Sequence, residues 1–267
     1  MDDVNDRIPV GYRVMGWPRN LRNWIVWNAG FCRRLGRYEP VFVYQMGKVA
    51  SRSIHEPLDE IYPGAVVHGH RFDPEYPQGE VVELYKRWER GKLKLPLHII
   101  SLARNPIDRN VSAFFQNFEH YTGQKPREWR GSMRDLLDCF LEVFPHHIPL
   151  IWFDHSLKQN FGVDVYARPL KKEGWSVHET KDVRALVMRV EIPDEEKTRA
   201  VRSFLELDEF SVARNNKSGK KDYGSLYAKF KKEVKLPRDY VLRMLDSKYF
   251  RHFYDSKEAA RTLQRWC

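Results

Sequence analysis

Short apolar runs alternate with amphipathic segments along most of the chain. Patterns typical of buried strands occur at residues 41–45, 65–68, 97–103 and 183–190, and helical periodicity occurs at residues 51–61, 84–90, 106–118, 132–144 and 193–207. This alternation predicts an α/β fold of three layers, a sandwich with a central parallel sheet flanked by helices. Because ligands bind beyond the carboxyl ends of the strands in such sheets, the residues that follow each strand are the candidates for function.

Local signals mark where two of the predicted helices begin. Asn105 is placed to cap the helix that starts at Pro106, and Ser132 with Asp135 has the spacing of a capping box. Pro57 lies inside the helix predicted at residues 51–61, although proline has no N–H group to donate. We therefore expect this helix to kink or to begin late.

Composition narrows the class of protein and of partner. The 267 residues can bury a substantial core, and their net charge of +10 suggests a polyanionic partner. A nucleotide-like cofactor, an acidic or sulfated sugar, a nucleic acid and a membrane surface all fit this charge. The three cysteines, Cys32, Cys139 and Cys267, are scattered without metal-binding spacing, so we expect no metal site and a reducing compartment.

A basic segment, residues 1–38, is predicted to precede a single domain at residues 39–267. Its helical pattern has an apolar face of Leu21, Trp24, Ile25, Cys32 and Leu35, flanked by Arg19, Arg22, Arg33, Arg34 and Arg37. Such a helix either packs on the domain, which we favour, or lies peripherally on an anionic membrane. We find no signal peptide and no apolar run long enough to span a bilayer, and we expect a cytoplasmic location, at the membrane surface if this helix binds it.

The residues after the first strand, "GKVASRS", have the chemistry of an anion-binding loop. A loop that leads into a helix presents unpaired backbone N–H groups, and Lys48, Ser51 and Ser53 add a charge and two hydroxyls. The magnesium-dependent loop GxxxxGK[ST] is not matched, since Phe42 replaces its first glycine and Val49 its metal-binding hydroxyl. The simpler alternative is an ordinary turn between a strand and a helix.

A second candidate lies after the strand at residues 97–103. Arg104 ends that strand, and Arg109 and Ser112 are three residues apart on one face of the following helix. Two guanidinium groups and a hydroxyl at this edge would form a clamp for a phosphate. Alternatively, Arg109 is a solvated surface residue.

Together the two segments resemble the PAPS-dependent sulfotransferases, which use 3′-phosphoadenosine 5′-phosphosulfate (PAPS) as the sulfuryl donor and release PAP. In that family a lysine-bearing loop binds the 5′-phosphosulfate, and an R-x-P-x-x-R-x-x-S pattern, matched by Arg104, Pro106, Arg109 and Ser112, binds the 3′-phosphate. Ala50 replaces a frequent glycine and Arg52 a frequent hydroxyl residue. The resemblance implies a P-loop-like fold without a metal, and it is greatest to carbohydrate sulfotransferases and to bacterial relatives linked with capsular polysaccharide.

The resemblance also indicates which residues bind the cofactor. A late loop could add Lys217, Lys220, Lys221 and Tyr223 near the 3′-phosphate or adenine, although a charged loop is more often only solvated. The predicted cofactor-binding set is Lys48, Val49, Ala50, Ser51, Arg52, Ser53, Arg104, Arg109, Ser112, Lys221 and Tyr223.

Two histidines, His68 and His70, lie at the end of the second predicted strand. Alternation puts both on one face, and Gly69 between them permits close approach of an acceptor. The same His-Gly-His run occurs in uronyl 2-O-sulfotransferases, which implies that His70 is the general base, with Lys48 and His68 as further catalytic residues. The alternatives are two structural histidines, or a metal site that lacks a third ligand. Glu191 is the reserve base.

The sequence thus predicts an enzyme that transfers a sulfuryl group from PAPS to a hydroxyl of a carbohydrate or glycoconjugate. A P-loop kinase or phosphotransferase is the first alternative, and the missing metal-binding hydroxyl argues against it. A nucleic-acid-binding protein is the second, and no recognised motif supports it, so we expect no nucleic-acid partner.

Overall fold

A computed structural model describes residues 21–213 and 222–267 of the chain, with side chains from residue 29 onward. The predicted ligand Lys221, with Lys217 and Lys220, lies outside the described residues. The helices are α1 (Leu21–Arg37), α2 (Arg52–Ile61), α3 (Gly79–Glu89), α4 (Pro106–Gln116), α5 (Phe118–Thr122), α6 (Met133–Val143), α7 (Ile148–Trp152), α8 (Gln159–Phe161), α9 (Asp194–Leu205), α10 (Gly224–Glu233), α11 (Arg238–Leu245), α12 (Lys248–Phe253) and α13 (Ser256–Trp266). The strands are β1 (Val41–Tyr44), β2 (Val66–Gly69), β3 (Leu97–Ala103), β4 (Trp175–Glu179) and β5 (Val183–Arg189).

The described strands form a five-stranded sheet in the order β2-β1-β3-β5-β4. β1 pairs in parallel with both β2 and β3, and β3 pairs in parallel with β5. The prediction of an α/β fold with a central sheet and flanking helices is confirmed.

The prediction that the whole sheet is parallel is wrong at one edge, where β4 runs antiparallel to β5. The two strands are joined by residues 180–182, and the N–H of Thr180 donates to the carbonyl of Val183 at 2.9 Å. So short a connection can only reverse the chain, because a parallel pair needs a crossover of a dozen or more residues. The strand pattern of β4 was missed because its two buried residues, Ser176 and His178, are polar.

Burial explains why the central strands were recognisable. Every residue of β1 and of β3 is buried, as expected of parallel strands that are covered on both faces. Asn105 caps α4 as predicted, since its side-chain oxygen accepts hydrogen bonds from the N–H groups of Ile107 and Asp108. Ser132 and Asp135 form the predicted capping box of α6.

Helix α1 spans Leu21–Arg37 in the N-terminal segment. Phe31 and Leu35 are buried in the core, Cys32 packs against it, and Arg34 approaches Asp59 at 3.4 Å. The second half of the helix therefore packs on the α/β domain, while Arg33 and Arg37 are exposed. The predicted face at Leu21, Trp24 and Ile25 lies outside the described side chains.

One described stretch, Met133–Phe161, is long and apolar enough to cross a membrane by length and composition, with 39% of its most apolar window buried. The sequence analysis found no apolar run long enough to span a bilayer, and this stretch meets that criterion by length and composition. The core helix of a soluble protein meets the same criterion. Here α6 and α7 are separated by a turn at residues 144–147, and Phe140, Trp152 and Phe153 lie in the core.

Candidate functional site

The candidate site lies at the carboxyl ends of β1 and β3, where the strand order reverses. The chain passes from β1 to β2 on one side and later to β3 on the other, so the two loops after β1 and β3 open next to each other. This is the switch point at which open α/β sheets bind their ligands. Both sequence-predicted segments therefore meet at one place.

The loop after β1 has a left-handed backbone. Gly47, Lys48 and Ala50 have φ angles of 76°, 63° and 57°, whereas Ser51 returns to the right-handed region with φ −59°. Successive residues of opposite hand turn their N–H groups toward a common side, which is the geometry of an anion-binding nest.

The donors of this loop are available for a ligand. Within the described part of the chain, the N–H groups of Val49, Ala50 and Ser51 donate to no protein acceptor. They lead directly into the start of α2 at Arg52, where the helix dipole also favours an anion. The backbone therefore supplies most of the anion-binding capacity of the loop.

The side chains of the predicted loop residues divide into different environments. Val49 is fully buried in the core, Arg52 is exposed, and the Ser53 hydroxyl donates to the carbonyl of Ala50 at 2.8 Å. The Lys48 ammonium donates at 2.5 Å to Oε1 of Gln116, the last residue of α4. Ser51 points away from the loop mouth toward the histidines.

Arg104 connects the two loops. Its guanidinium Nη1 donates to the carbonyl of Lys48 at 2.8 Å. Its backbone is held by Tyr249 of α12, whose hydroxyl accepts from the Arg104 N–H at 2.9 Å and donates to the Arg104 carbonyl at 2.8 Å. The β3 end is thus fixed by a residue far along the chain that the sequence analysis did not single out.

Arg109 has partners other than the predicted phosphate. It is 5% exposed, and its guanidinium donates to the carbonyls of Met46 at 2.6 Å and Gly47 at 3.4 Å. These contacts fix the carbonyl side of the β1 loop, which helps to turn the N–H side outward. A phosphate contact by Arg109 stays a prediction, and the alternative of a solvated surface arginine is wrong.

Ser112 lies on the face of α4 that meets the loop. Arg109, one turn before it, reaches Met46, and Gln116, one turn after it, reaches Lys48. The Ser112 hydroxyl makes no hydrogen bond to another described residue and is partly exposed. Tyr223, just before α10, lies beside α4, with its ring centroid 6.5 Å from that of Phe115.

His68 and His70 share one face of the β2 end as predicted, with ring centroids 5.2 Å apart. Gly69, however, is not needed for an acceptor. A Cβ atom there would meet the Phe42 ring at 3.1 Å and Val81 at 3.0 Å, so the glycine allows close packing inside the core. The sequence analysis expected Gly69 to leave room for an acceptor, whereas the structure shows that it leaves room for Phe42 and Val81.

Both histidines are neutral near pH 7. Burial, with smaller contributions from His70, His55 and Arg52, lowers the pKa of His68 to about 3. Burial also lowers the pKa of His70, which a hydrogen bond to the Gln45 carbonyl partly offsets, while Arg109 and Arg52 add to the lowering. A neutral imidazole retains a lone pair and can accept a proton.

Glu191, the reserve base, is engaged in structure. Its carboxylate accepts from the N–H of Asn105 at 2.8 Å and from the hydroxyl of Tyr254 at 3.2 Å. It therefore supports the start of α4 beside Arg104. Among the described residues, no group of three or more His, Cys, Asp or Glu side chains could hold a metal ion.

Sequence reasoning missed Gln45, which is fully buried between the loop and the histidines. Its side chain contacts Ser51, His68 and His70 and accepts from the N–H of Gly47. A polar residue at the end of an otherwise apolar strand was the available signal, since a buried amide requires hydrogen-bond partners.

A family model described as "Putative capsular polysaccharide synthesis protein" matches residues 132–255. The matched segment is less than half of the chain and includes β4, β5 and Tyr249, but neither the β1 loop nor the histidines. No curated protein and no solved structure matches the chain. The match supports an association with capsular polysaccharide, and its description does not name a sulfotransferase.

Proposed function

We propose that the protein is a PAPS-dependent sulfotransferase with a P-loop-like fold that acts on a hydroxyl of a carbohydrate. The observation that carries the proposal is the meeting of two anion-binding elements at the switch point. There the N–H groups after β1 lie beside Lys48, and Arg104 donates to the Lys48 carbonyl at 2.8 Å. A ligand with two separated anionic groups fits this pair of elements.

The residues present suit the two ends of PAPS. The N–H groups of residues 49–51 and the start of α2 would hold the 5′-phosphosulfate, with Lys48 at its bridging oxygen. Arg104 and Ser112 would hold the 3′-phosphate, and Tyr223 lies next to α4 where the adenine would extend. The loop needs no metal-binding hydroxyl for this ligand, which agrees with Val49 being buried in the core.

The transfer step assigns one task to each side of the site. PAPS supplies an activated sulfuryl group, whose bond to the 5′-phosphate breaks as a bond forms to the acceptor oxygen. His70 would take the acceptor proton on Nε2, because its Nδ1 donates to the Gln45 carbonyl at 2.9 Å. Lys48 and the loop N–H groups would stabilise the charge that develops on the departing phosphate.

The match to a capsular polysaccharide family model supports a carbohydrate as the acceptor. Hydroxyl groups are the abundant nucleophiles of such a polymer, and a neutral histidine suits their deprotonation. The net charge of +10 would favour binding of an acidic polymer.

Ligand-induced thermal stabilisation tests the proposal directly. PAP and PAPS should raise the melting temperature in the presence of EDTA, because a ligand that binds only the native state stabilises it by mass action. ATP and GTP, each with and without magnesium, are the comparison ligands. Sulfate transfer from radiolabelled PAPS to capsular polysaccharide would then be measured with the wild type and with His70→Ala.

The outcomes separate the alternatives. Stabilisation by ATP with magnesium, without any response to PAP, would replace the sulfotransferase proposal with a kinase. Steeply salt-dependent binding to arbitrary DNA, again without PAP binding, would favour a nucleic-acid-binding protein.

A further inference from the structure

Gln45 lies where the anion-binding loop meets the histidines, and it is fully buried. Its side-chain Oε1 accepts from the N–H of Gly47 at 2.5 Å. Its Nε2 lies 2.9 Å from the Ser51 hydroxyl and 3.2 Å from Nε2 of His68. One side chain therefore contacts both the loop that would hold the donor and the histidine pair.

The orientation of the Gln45 amide follows from its partners. The Gly47 N–H can only donate, so the atom that it reaches must be the amide oxygen. The amide nitrogen then faces the histidines, and its two hydrogens can only be donated. Nε2 of His68 must accept, either from this nitrogen or from the Ser51 hydroxyl at 2.8 Å. His68 is thereby held as the tautomer that is protonated on Nδ1.

His70 is oriented by the backbone of the same residue. Its Nδ1 lies 2.9 Å from the Gln45 carbonyl, which can only accept, and 3.1 Å from the Gln45 side-chain nitrogen. Among the described residues that carbonyl has no other hydrogen-bond donor. With Nδ1 as the donor to this carbonyl, the two amide hydrogens of Gln45 go to Ser51 and His68, and the 3.1 Å approach to His70 is not a hydrogen bond. Nε2 is then the proton-accepting nitrogen of the His70 ring.

We propose that Gln45 is a positioning residue that joins the donor-binding loop to the base. Its side chain fixes Gly47 and the tautomer of His68, while its backbone fixes the tautomer of His70. Its role in catalysis rests on the proposed function, but the hydrogen-bond arrangement does not. Loss of the side chain should disturb His68 and the loop and leave the tautomer of His70 unchanged.

Nitrogen-15 NMR of labelled histidines reads these tautomers directly in the full-length protein. In the wild type at neutral pH, both His68 and His70 should show a protonated Nδ1, although imidazole in water prefers protonation on Nε2. In Gln45→Leu, which retains the size and removes the hydrogen bonds, the His68 signals should shift toward the Nε2-protonated form and the His70 signals should not. Gln264→Leu, at an exposed position of α13, is the matched control and should leave both rings unchanged.

PAP titration of the same variants measures how far the Gln45 side chain supports the loop after β1. Gln45→Leu should weaken PAP binding about tenfold to a hundredfold, because Gly47 loses the hydrogen bond that holds the loop in place and PAP binding must then order the loop. The control should bind PAP like the wild type. A variant with unchanged His68 signals and unchanged PAP affinity would overturn the proposal.

Two further outcomes are also decisive. If Gln45→Leu does not fold, the wild-type spectrum alone decides, because a His68 ring protonated on Nε2 contradicts the arrangement. If the wild type does not bind PAP at all, the proposed function fails, and the NMR comparison still tests the tautomers that Gln45 sets.

Discussion

Ala50 stores strain in the loop after β1, and replacing it with glycine should stabilise the protein. Its φ angle of 57° lies in the left-handed region, its side chain is exposed, and its carbonyl accepts from the N–H of Ser53 at 3.1 Å. Glycine adopts this backbone without steric cost and keeps the same backbone hydrogen bonds. Ala50→Gly therefore removes a cost without removing a contact that the structure records.

The size of the effect follows from two opposing terms. The left-handed conformation costs an L-residue about 1–2 kcal/mol, which glycine would recover. Glycine also loses more freedom on folding, which costs about 0.4–1 kcal/mol relative to alanine. The free energy of unfolding should rise by about 0.8 kcal/mol, the difference between the middle values of these two ranges. For a protein of this size the melting temperature should rise by about 1–3 °C.

Urea unfolding of Ala50→Gly and of a matched control would measure this. Ala260 is exposed inside α13, so the same substitution there should lower the free energy of unfolding by about 1 kcal/mol. The same substitution should thus raise the free energy of unfolding at position 50 and lower it at position 260. PAP affinity of Ala50→Gly should stay close to that of the wild type, because the loop N–H groups remain. A destabilised Ala50→Gly protein would refute the left-handed loop on which the candidate anion site depends.

The other predictions concern charge and protonation. Lys48→Ala should lower turnover more than it lowers PAP affinity. Arg104→Ala should instead weaken PAP binding by about 1.5–3 kcal/mol, measured by calorimetry. A Lys48→Ala enzyme that loses only PAP affinity would contradict the role of Lys48 in stabilising the departing phosphate. His70→Ala should bind PAP yet lose about 10²–10⁴-fold in rate. Because burial lowers the His70 pKa, the wild-type rate should fall only below the ordinary histidine pKa of about 6.5. Near-normal turnover of folded His70→Ala would refute the base assignment, and Glu191 would be tested next. The free energy of unfolding should also fall as the pH drops below about 6.5. Buried histidines with a lowered pKa stay neutral in the folded protein, whereas the same histidines bind protons in the unfolded chain. Each such histidine contributes at most about 1.4 kcal/mol per pH unit. The described rings with a lowered pKa include His68, at about 3, and His98, His146 and His178, each at about 4. Burial also lowers the pKa of His55, His70 and His252. Equal free energies of unfolding at pH 7.5 and 5.5 would contradict these shifts.

The fold was predictable wherever burial follows a simple period. β3 was predicted with its observed bounds because all of its residues are apolar or buried, and α4 was predicted because Asn105 and Pro106 mark its start. The antiparallel β4 was not predictable in this way, since its direction depends on a three-residue connection rather than on its own pattern. The sequence analysis made no prediction for α11–α13, although Tyr249 of α12 holds the end of β3.

The candidate site was predictable in position but not in the partners of its side chains. The switch-point argument needs only the order of strands and helices, and it brought Lys48 and Arg104 to one edge. Which guanidinium meets a ligand and which meets the backbone depends on tertiary contacts that have no sequence period. Arg109 illustrates this, because its spacing matches a phosphate ligand while its guanidinium donates to Met46 and Gly47.

Pro57 shows how a local rule can fail for a reason that the fold supplies. Helix α2 begins at Arg52 and continues through Pro57, so the late start is wrong and the alternative, a kink, stays a prediction. Proline at this position cannot donate to the carbonyl of Ser53, four residues earlier. That carbonyl instead accepts from the N–H of Ala213 at 2.9 Å. The N–H of Ala213 thus takes the place of the missing proline donor. This hydrogen bond joins the segment after α9 to the first turn of α2, which follows the loop after β1. Pro57 is unfavourable by the rules for an isolated helix, but it is compatible with this fold. The Ser53 carbonyl that it leaves without a helical donor holds the segment after α9 next to the candidate site.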